Sequence, residues 1–164
     1  MNFQKVLIIA LAALLAFVPS VAHADLSSKT AKGPKGQVLT VSQTQDIAPD
    51  SNIWVSGKNY NSKVGIYVTF CVIPKKGKRP ELCGPYDITG QNNDSVWVSS
   101  NPPVYAALLV KPFKSGGSFR VQVTVRRMIG NYDCKVVRCA ILTRADHTRS
   151  DDRSADVIIP VSIK

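Results

Sequence analysis

Four groups of side chains carry enough chemistry to suggest a function. Cysteine occurs at Cys71, Cys83, Cys134 and Cys139, and an even count of thiols forms disulfides in an oxidising compartment or binds metal in a reducing one. A cationic run, Lys75-Lys76-Gly77-Lys78-Arg79, concentrates positive charge as contact with a polyanion requires. His147, between Asp146 and Thr148, is the histidine that a Ser-His-Asp site would use. The stretch 144–156 interleaves Arg144, Arg149 and Arg153 with Asp146, Asp151, Asp152 and Asp156, a pattern that predicts ion pairs holding a long loop.

The catalytic reading finds little support beyond that histidine. There is no Gly-x-Ser-x-Gly elbow and no glycine-rich phosphate loop, and Asp151-Asp152 lack the surrounding spacing of a calcium loop. No Cys-x-x-Cys pair is present to suggest zinc. The expectation is therefore a protein that is not an enzyme, with no catalytic residues, no metal and no cofactor. Four cysteines allow three pairings, and local pairing of Cys71 with Cys83 and Cys134 with Cys139 fits a chain of short strands best. In the loop-entropy picture each small ring contributes about 2 to 3 kcal/mol.

The chain that holds these groups has 164 residues, 21 Lys plus Arg against 11 Asp plus Glu, and a formal charge of +10. One domain is the default at that length. With 45% hydrophobic and 20% charged residues, a disordered polyelectrolyte is excluded. Residues 1–24 read as a secretory signal peptide: Lys5 opens it, an apolar run from Val6 to Val18 follows, and Pro19 precedes the small-residue ending Ala22-His23-Ala24. The apolar run falls short of the roughly 20 residues that span a bilayer, so the mature protein is expected outside the cell and not transmembrane. Residues 25–36, rich in Ser, Lys, Gly and Pro, read as a flexible basic lead-in, and 37–164 as the folded domain.

From residue 37 onward the apolar residues come in short β-branched or aromatic runs between turn formers. Strands are expected at 37–41, 53–56, 65–73, 95–99, 118–126, 136–143 and 157–163, which implies an all-β, seven-stranded sandwich. In 118–126, Phe119, Val121, Val123 and Val125 share one face and should enter the core. Pro160 marks an edge strand or a bulge. Residues 74–80 form the tip of a hairpin closed by Cys71 and Cys83.

Leu39-Thr40-Val41-Ser42, Val55-Ser56-Gly57, Thr124-Val125-Arg126-Arg127 and the Cys134-x4-Cys139 segment occur in this order, with a second cysteine pair in between. Together they resemble the neocarzinostatin family of secreted actinobacterial apoproteins. The resemblance implies an immunoglobulin-like sandwich with two local disulfides and a cleft between its open end and a disulfide-closed hairpin. In some members that cleft holds an enediyne chromophore, which the protein carries and which attacks DNA. Chromophore-binding members carry an aromatic residue where this chain has Ile73 and an amide where it has Ala140, and they are acidic where this chain is basic.

The candidate cleft residues are Ile73, Trp97, Tyr132, Ala140 and Arg144, with Tyr86 a further aromatic candidate for the wall. The expected partner is a small apolar or aromatic ligand held by a monomer. The alternative is a structural or adhesive surface domain, bound to an anionic polymer such as an envelope polymer or DNA through Lys75, Lys76, Lys78 and Arg79. Arg127, at the end of a strand, has a carboxylate partner as its alternative to a role in such a surface.

Overall fold

A computed structural model describes residues 27–86 and 88–164. The signal-peptide reading of residues 1–24 lies outside the described residues. Among those described, eleven strands occur in chain order: β1 Lys29–Lys32, β2 Val38–Val41, β3 Ser51–Lys58, β4 Ile66–Val72, β5 Ser95–Val98, β6 Val110–Lys111, β7 Phe119–Val125, β8 Met128–Ile129, β9 Tyr132–Asp133, β10 Cys139–Ala145 and β11 Val157–Val161. They make a four-stranded sheet ordered β1-β2-β3-β7, a five-stranded sheet ordered β11-β10-β4-β5-β6, and the small β8-β9 hairpin.

The two larger sheets pack face to face because each supplies an apolar row at period two. From one come Leu39, Val41, Val55, Phe119, Val121, Val123 and Val125, and from the other Val68, Phe70, Val98, Ile141 and Ile159. The row expected at 118–126 is the row observed, and Arg120 opposite it is exposed. Pro160 sits exposed on β11, at the edge of its sheet, where a missing N–H removes no ladder bond that a further strand would need. Both local disulfides form, Cys71–Cys83 and Cys134–Cys139.

Three expectations need correction. The lead-in is not wholly flexible: Lys29–Lys32 forms β1, which pairs antiparallel with β2 so that Ala31 lies opposite Leu39. Ala31 packs against the main core, which gives this polar segment an apolar anchor that its composition concealed. The strand expected at 136–143 starts three residues later and runs to Ala145, because 134–138 is a turn inside the Cys134–Cys139 ring with Val136 exposed. The seven expected strands all have a counterpart, and short added strands bring the number to eleven among the described residues. One addition, β6, pairs parallel to β5, so the chain between them must cross over the sheet and return.

Candidate functional site

On β4, β5 and β10 the residues that alternate with the core row point to the other side of the sheet. That outer row holds Tyr67 and Cys71 on β4, Trp97 on β5, and Ala140 and Arg144 on β10. Three expected cleft residues, Trp97, Ala140 and Arg144, thus share one face with the Cys71 sulfur. Ile73 stands one step beyond β4, at the root of the hairpin, where its N–H donates to the Arg138 carbonyl at 2.9 Å. Tyr132 is not part of this face and lies on β9.

An open cleft floor would leave that outer row accessible, yet Trp97, Ala140 and Arg144 are all buried. Trp97 and Arg144 belong to an aromatic cluster centred on Tyr67, with ring centroids 5.5 Å from Tyr86, 5.9 Å from Trp97 and 6.2 Å from His147, whereas Ala140 lies further along the row, opposite Cys71. Arg144 is 2% exposed. Its guanidinium donates to the Tyr86 hydroxyl at 2.8 Å and stands over the Tyr67 ring at 5.3 Å and the Tyr86 ring at 5.8 Å. The quadrupoles of those faces offset part of the desolvation of the cation. Its Nε is buried without a partner.

Asp146 is satisfied differently. Its Oδ2 accepts from the Trp97 indole at 3.0 Å, and its Oδ1 accepts from the Thr148 backbone N–H at 3.0 Å and the Thr148 hydroxyl at 2.6 Å. Gly65 is required beside it, because a Cβ there would strike the Asp146 carboxylate and crowd the Trp97 indole. His147 lies with Nδ1 at 2.7 Å from the Tyr67 hydroxyl and Nε2 at 3.3 Å from that of Tyr105. Burial, reinforced by the neighbouring Asp146 charge, pushes the Tyr67 phenol up to about 12, so it remains protonated at physiological pH. The Ser-His-Asp arrangement does not assemble here: the imidazole engages two tyrosines, and the carboxylate engages tryptophan and threonine.

The interleaved tail also differs from expectation. Only Arg153 with Asp156, at 3.1 Å, forms an ion pair within it. Arg144 and Asp146 turn instead into the aromatic cluster, and Asp152 accepts from the Ser154 N–H at 2.7 Å. Arg127 does find a carboxylate, Asp133, at 2.7 Å, which holds that carboxyl below its ordinary range. Arg126, the residue before Arg127, grips the buried Asp94 with two bonds of 2.6 and 3.0 Å.

Concavities of about 310 to 400 Å³ open at several places among the described residues, and one of them lies at the hairpin end. A cavity of about 360 Å³ separates the Cys71–Cys83 loop from the β8-β9 hairpin, lined by Glu81, Leu82 and Cys83 on one side and Ile129, Gly130, Asn131 and Tyr132 on the other. Leu82 and Tyr132 are both exposed there. The disulfide and the pairing of Cys83 with Cys71 fix one wall, and the Arg127–Asp133 ion pair helps fix the other. Beyond the wall the loop tip turns at Gly77, whose φ of 75° suits glycine, and the Lys78 N–H donates to the Lys75 carbonyl at 2.9 Å. Lys75, Lys76 and Lys78 are exposed, whereas Arg79 is half-buried with its Nε unpartnered.

Sequence reasoning missed Leu82, the face that Tyr67 occupies and the seating of Asp146. The apolar run Ile66–Val72 showed no alternation that would assign Tyr67 to a face. For Asp146 a local signal existed, an Asp two residues before Thr148, the spacing of a side chain that caps a short turn.

Macromomycin matches this structure with a TM-score of 0.51 at 15% sequence identity, over 78% of this chain and 99% of its own. The fold is that of macromomycin. Apokedarcidin matches at 16% identity over 84% of this chain and 99% of its own, with a TM-score of 0.44. Macromomycin is an apoprotein of the neocarzinostatin family, and its match alone supports the resemblance carried by the cysteines and the Thr-Val-Arg-Arg strand, at the level of fold. No protein-family model matches the sequence, and no curated protein does. Among the described residues no group of three His, Cys, Asp or Glu side chains could hold a metal ion, and no helix is long and apolar enough to cross a membrane.

Proposed function

We propose that the protein is a secreted, non-enzymatic carrier domain that holds a small apolar or aromatic ligand between the Cys71–Cys83 loop and the β8-β9 hairpin. The observation that carries this reading is the cavity of about 360 Å³ with Leu82 and Tyr132 exposed on facing walls, in a domain with the fold of macromomycin. Leu82 and Tyr132 supply the apolar contact. Trp97 and Arg144 belong to the covered face at the other end of β4 and make no part of this cavity. Ile73 and Ala140 replace the aromatic and amide side chains that the family resemblance associates with chromophore contact, so the ligand class is apolar or aromatic without commitment to an enediyne.

The test is a fluorescence titration with an anionic naphthalene probe, alongside native mass spectrometry of the protein from its secreting source. Removing Leu82 and Tyr132 together (Leu82→Ala, Tyr132→Ala) should weaken uptake by roughly tenfold or more, as expected for losing two apolar contacts. Unchanged uptake by that variant, or an apo mass with no uptake by the native protein, would overturn the proposal.

A second reading, adhesion to anionic envelope polymers or DNA, is favoured by the exposure of Lys75, Lys76 and Lys78, none of which forms an ion pair among the described residues. Replacing these three and Arg79 with Gln should abolish salt-sensitive retention on cell-wall or DNA columns. Retention that survives the replacement removes this reading.

A further inference from the structure

The nine residues Pro102-Pro103-Val104-Tyr105-Ala106-Ala107-Leu108-Leu109-Val110 carry no charge, and they lead from β5 to β6 across the covered face. Ala106 is buried against Tyr67 and Trp97, with Leu109 and Val110 packed beside it. That inner row fixes the segment and projects the rest outward: Val104 is 96% exposed, Leu108 92% and Tyr105 72%. The backbone between them is largely bonded to itself, since the Ala106 N–H reaches the Pro103 carbonyl at 2.9 Å, Ala107 that of Val104 at 3.4 Å and Leu109 that of Ala106 at 2.9 Å. Amides already bonded internally lower the cost of bringing such a turn into an apolar phase.

Single exposed aliphatic residues are ordinary, but a braced knob that holds several together is not. Cations surround it. Lys63 is tied to the segment through the Asn101 amide, which donates to its carbonyl at 3.3 Å. Arg149 lines the same cavity as Pro102 and Pro103, and Lys111 closes the segment with its ammonium 3.4 Å from the Gly90 carbonyl. Of the nearby carboxylates, Asp146 is buried and fully used as an acceptor, Asp152 is half-buried on the side of Arg149 away from the knob's prolines and accepts from Ser154, and Asp151 is exposed. The knob is convex and offers three side chains. That is far less than the roughly 1,000 Å² a stable protein interface buries, whereas a few inserted side chains with flanking cations suffice at a bilayer surface.

We propose that this knob docks the protein on an anionic lipid bilayer, with Val104 and Leu108 entering the headgroup–acyl boundary and Lys63, Lys111 and Arg149 facing the headgroups. The surface is separate from the ligand cavity and the Lys75–Arg79 loop, which lie at the other end of β4. The experiment is co-sedimentation of the full mature chain with phosphatidylcholine vesicles containing about 30% phosphatidylglycerol, and with phosphatidylcholine alone, in about 0.1 M salt. The native protein should bind the anionic vesicles, and Val104→Ser with Leu108→Ser should lower partitioning by at least about tenfold while leaving the far-UV spectrum unchanged. Neutralising Lys75, Lys76 and Lys78 should leave most of the binding. Three results would overturn the proposal: no binding to anionic vesicles, equal binding by the serine variant, or a native dimer that the serine variant converts to monomer while vesicles are ignored.

Discussion

The two large sheets treat their outward faces in opposite ways. On the four-stranded sheet, β3 and β7 alternate buried and accessible residues, and Asn52, Trp54 and Arg120 meet solvent. On the five-stranded sheet, β5 and β10 are buried throughout and β4 nearly so. One sheet is half of a sandwich, and the other is the middle layer between the main core and a second, smaller one around Tyr67, Trp97 and Ala106. A polar side chain on the first kind of face can rely on water. On the second kind it must be satisfied by the chain itself, which is why Asp146 has three donors and Arg144 has two ring faces and a tyrosine hydroxyl.

That contrast can be broken most severely through the two tryptophans. Trp97→Ala should cost about 3–5 kcal/mol, because it empties a packed site and removes a donor from buried Asp146. Trp54→Ala on the open face should cost no more than about 1 kcal/mol, including its contact with the Arg120 guanidinium, 4.3 Å from the ring centroid. Urea unfolding of both variants measures the difference, and equal losses would mean that the covered face contributes no second core.

A smaller effect is expected at Tyr86. Tyr86→Phe keeps the ring against Tyr67 but withdraws the hydroxyl from a buried guanidinium, so a loss of about 1–3 kcal/mol should appear in the same unfolding measurement. A loss near zero would show that the ring faces alone hold Arg144.

A last effect, read against pH, concerns Asp156, whose carboxyl is pushed up from 3.8 to about 6 by burial, against the opposing pull of Arg153 and Arg144 and with Asp152 reinforcing the rise. A carboxyl with a raised folded value binds its proton more tightly in the folded than in the unfolded chain. Its contribution therefore favours the folded state at low pH and declines as pH rises from 3.8 to about 6. Asp156→Asn should flatten that part of the profile of melting temperature against pH. An unaltered slope would place Asp156 in water, outside the covered region.

Much of the architecture was legible because burial on one side leaves a period-two trace. Phe119, Val121, Val123 and Val125 announced their face, and Pro160 announced an edge. The cysteine pairing was legible for a related reason, since short strands bring neighbours in sequence close in space. Ala31 was hidden because its strand is polar and anchored by one small side chain. The cleft candidates divide along the same line. Trp97, Ala140 and Arg144 do gather on one face, but nothing in their spacing shows that Tyr67 and Tyr86 close over Arg144, because contact between residues 58 apart, such as Arg144 and Tyr86, leaves no local pattern.

The sequence by itself determined the class of fold, its two local disulfides and where its charge is concentrated, since alternation, cysteine spacing and composition are local properties. Tertiary structure alone decided that the outer face of the five-stranded sheet is covered. That outcome depends on how the long connections around β5 fold back, and it turns Arg144 from an expected ligand contact into part of a closed core while leaving Leu82, Tyr132, Val104 and Leu108 at the surface.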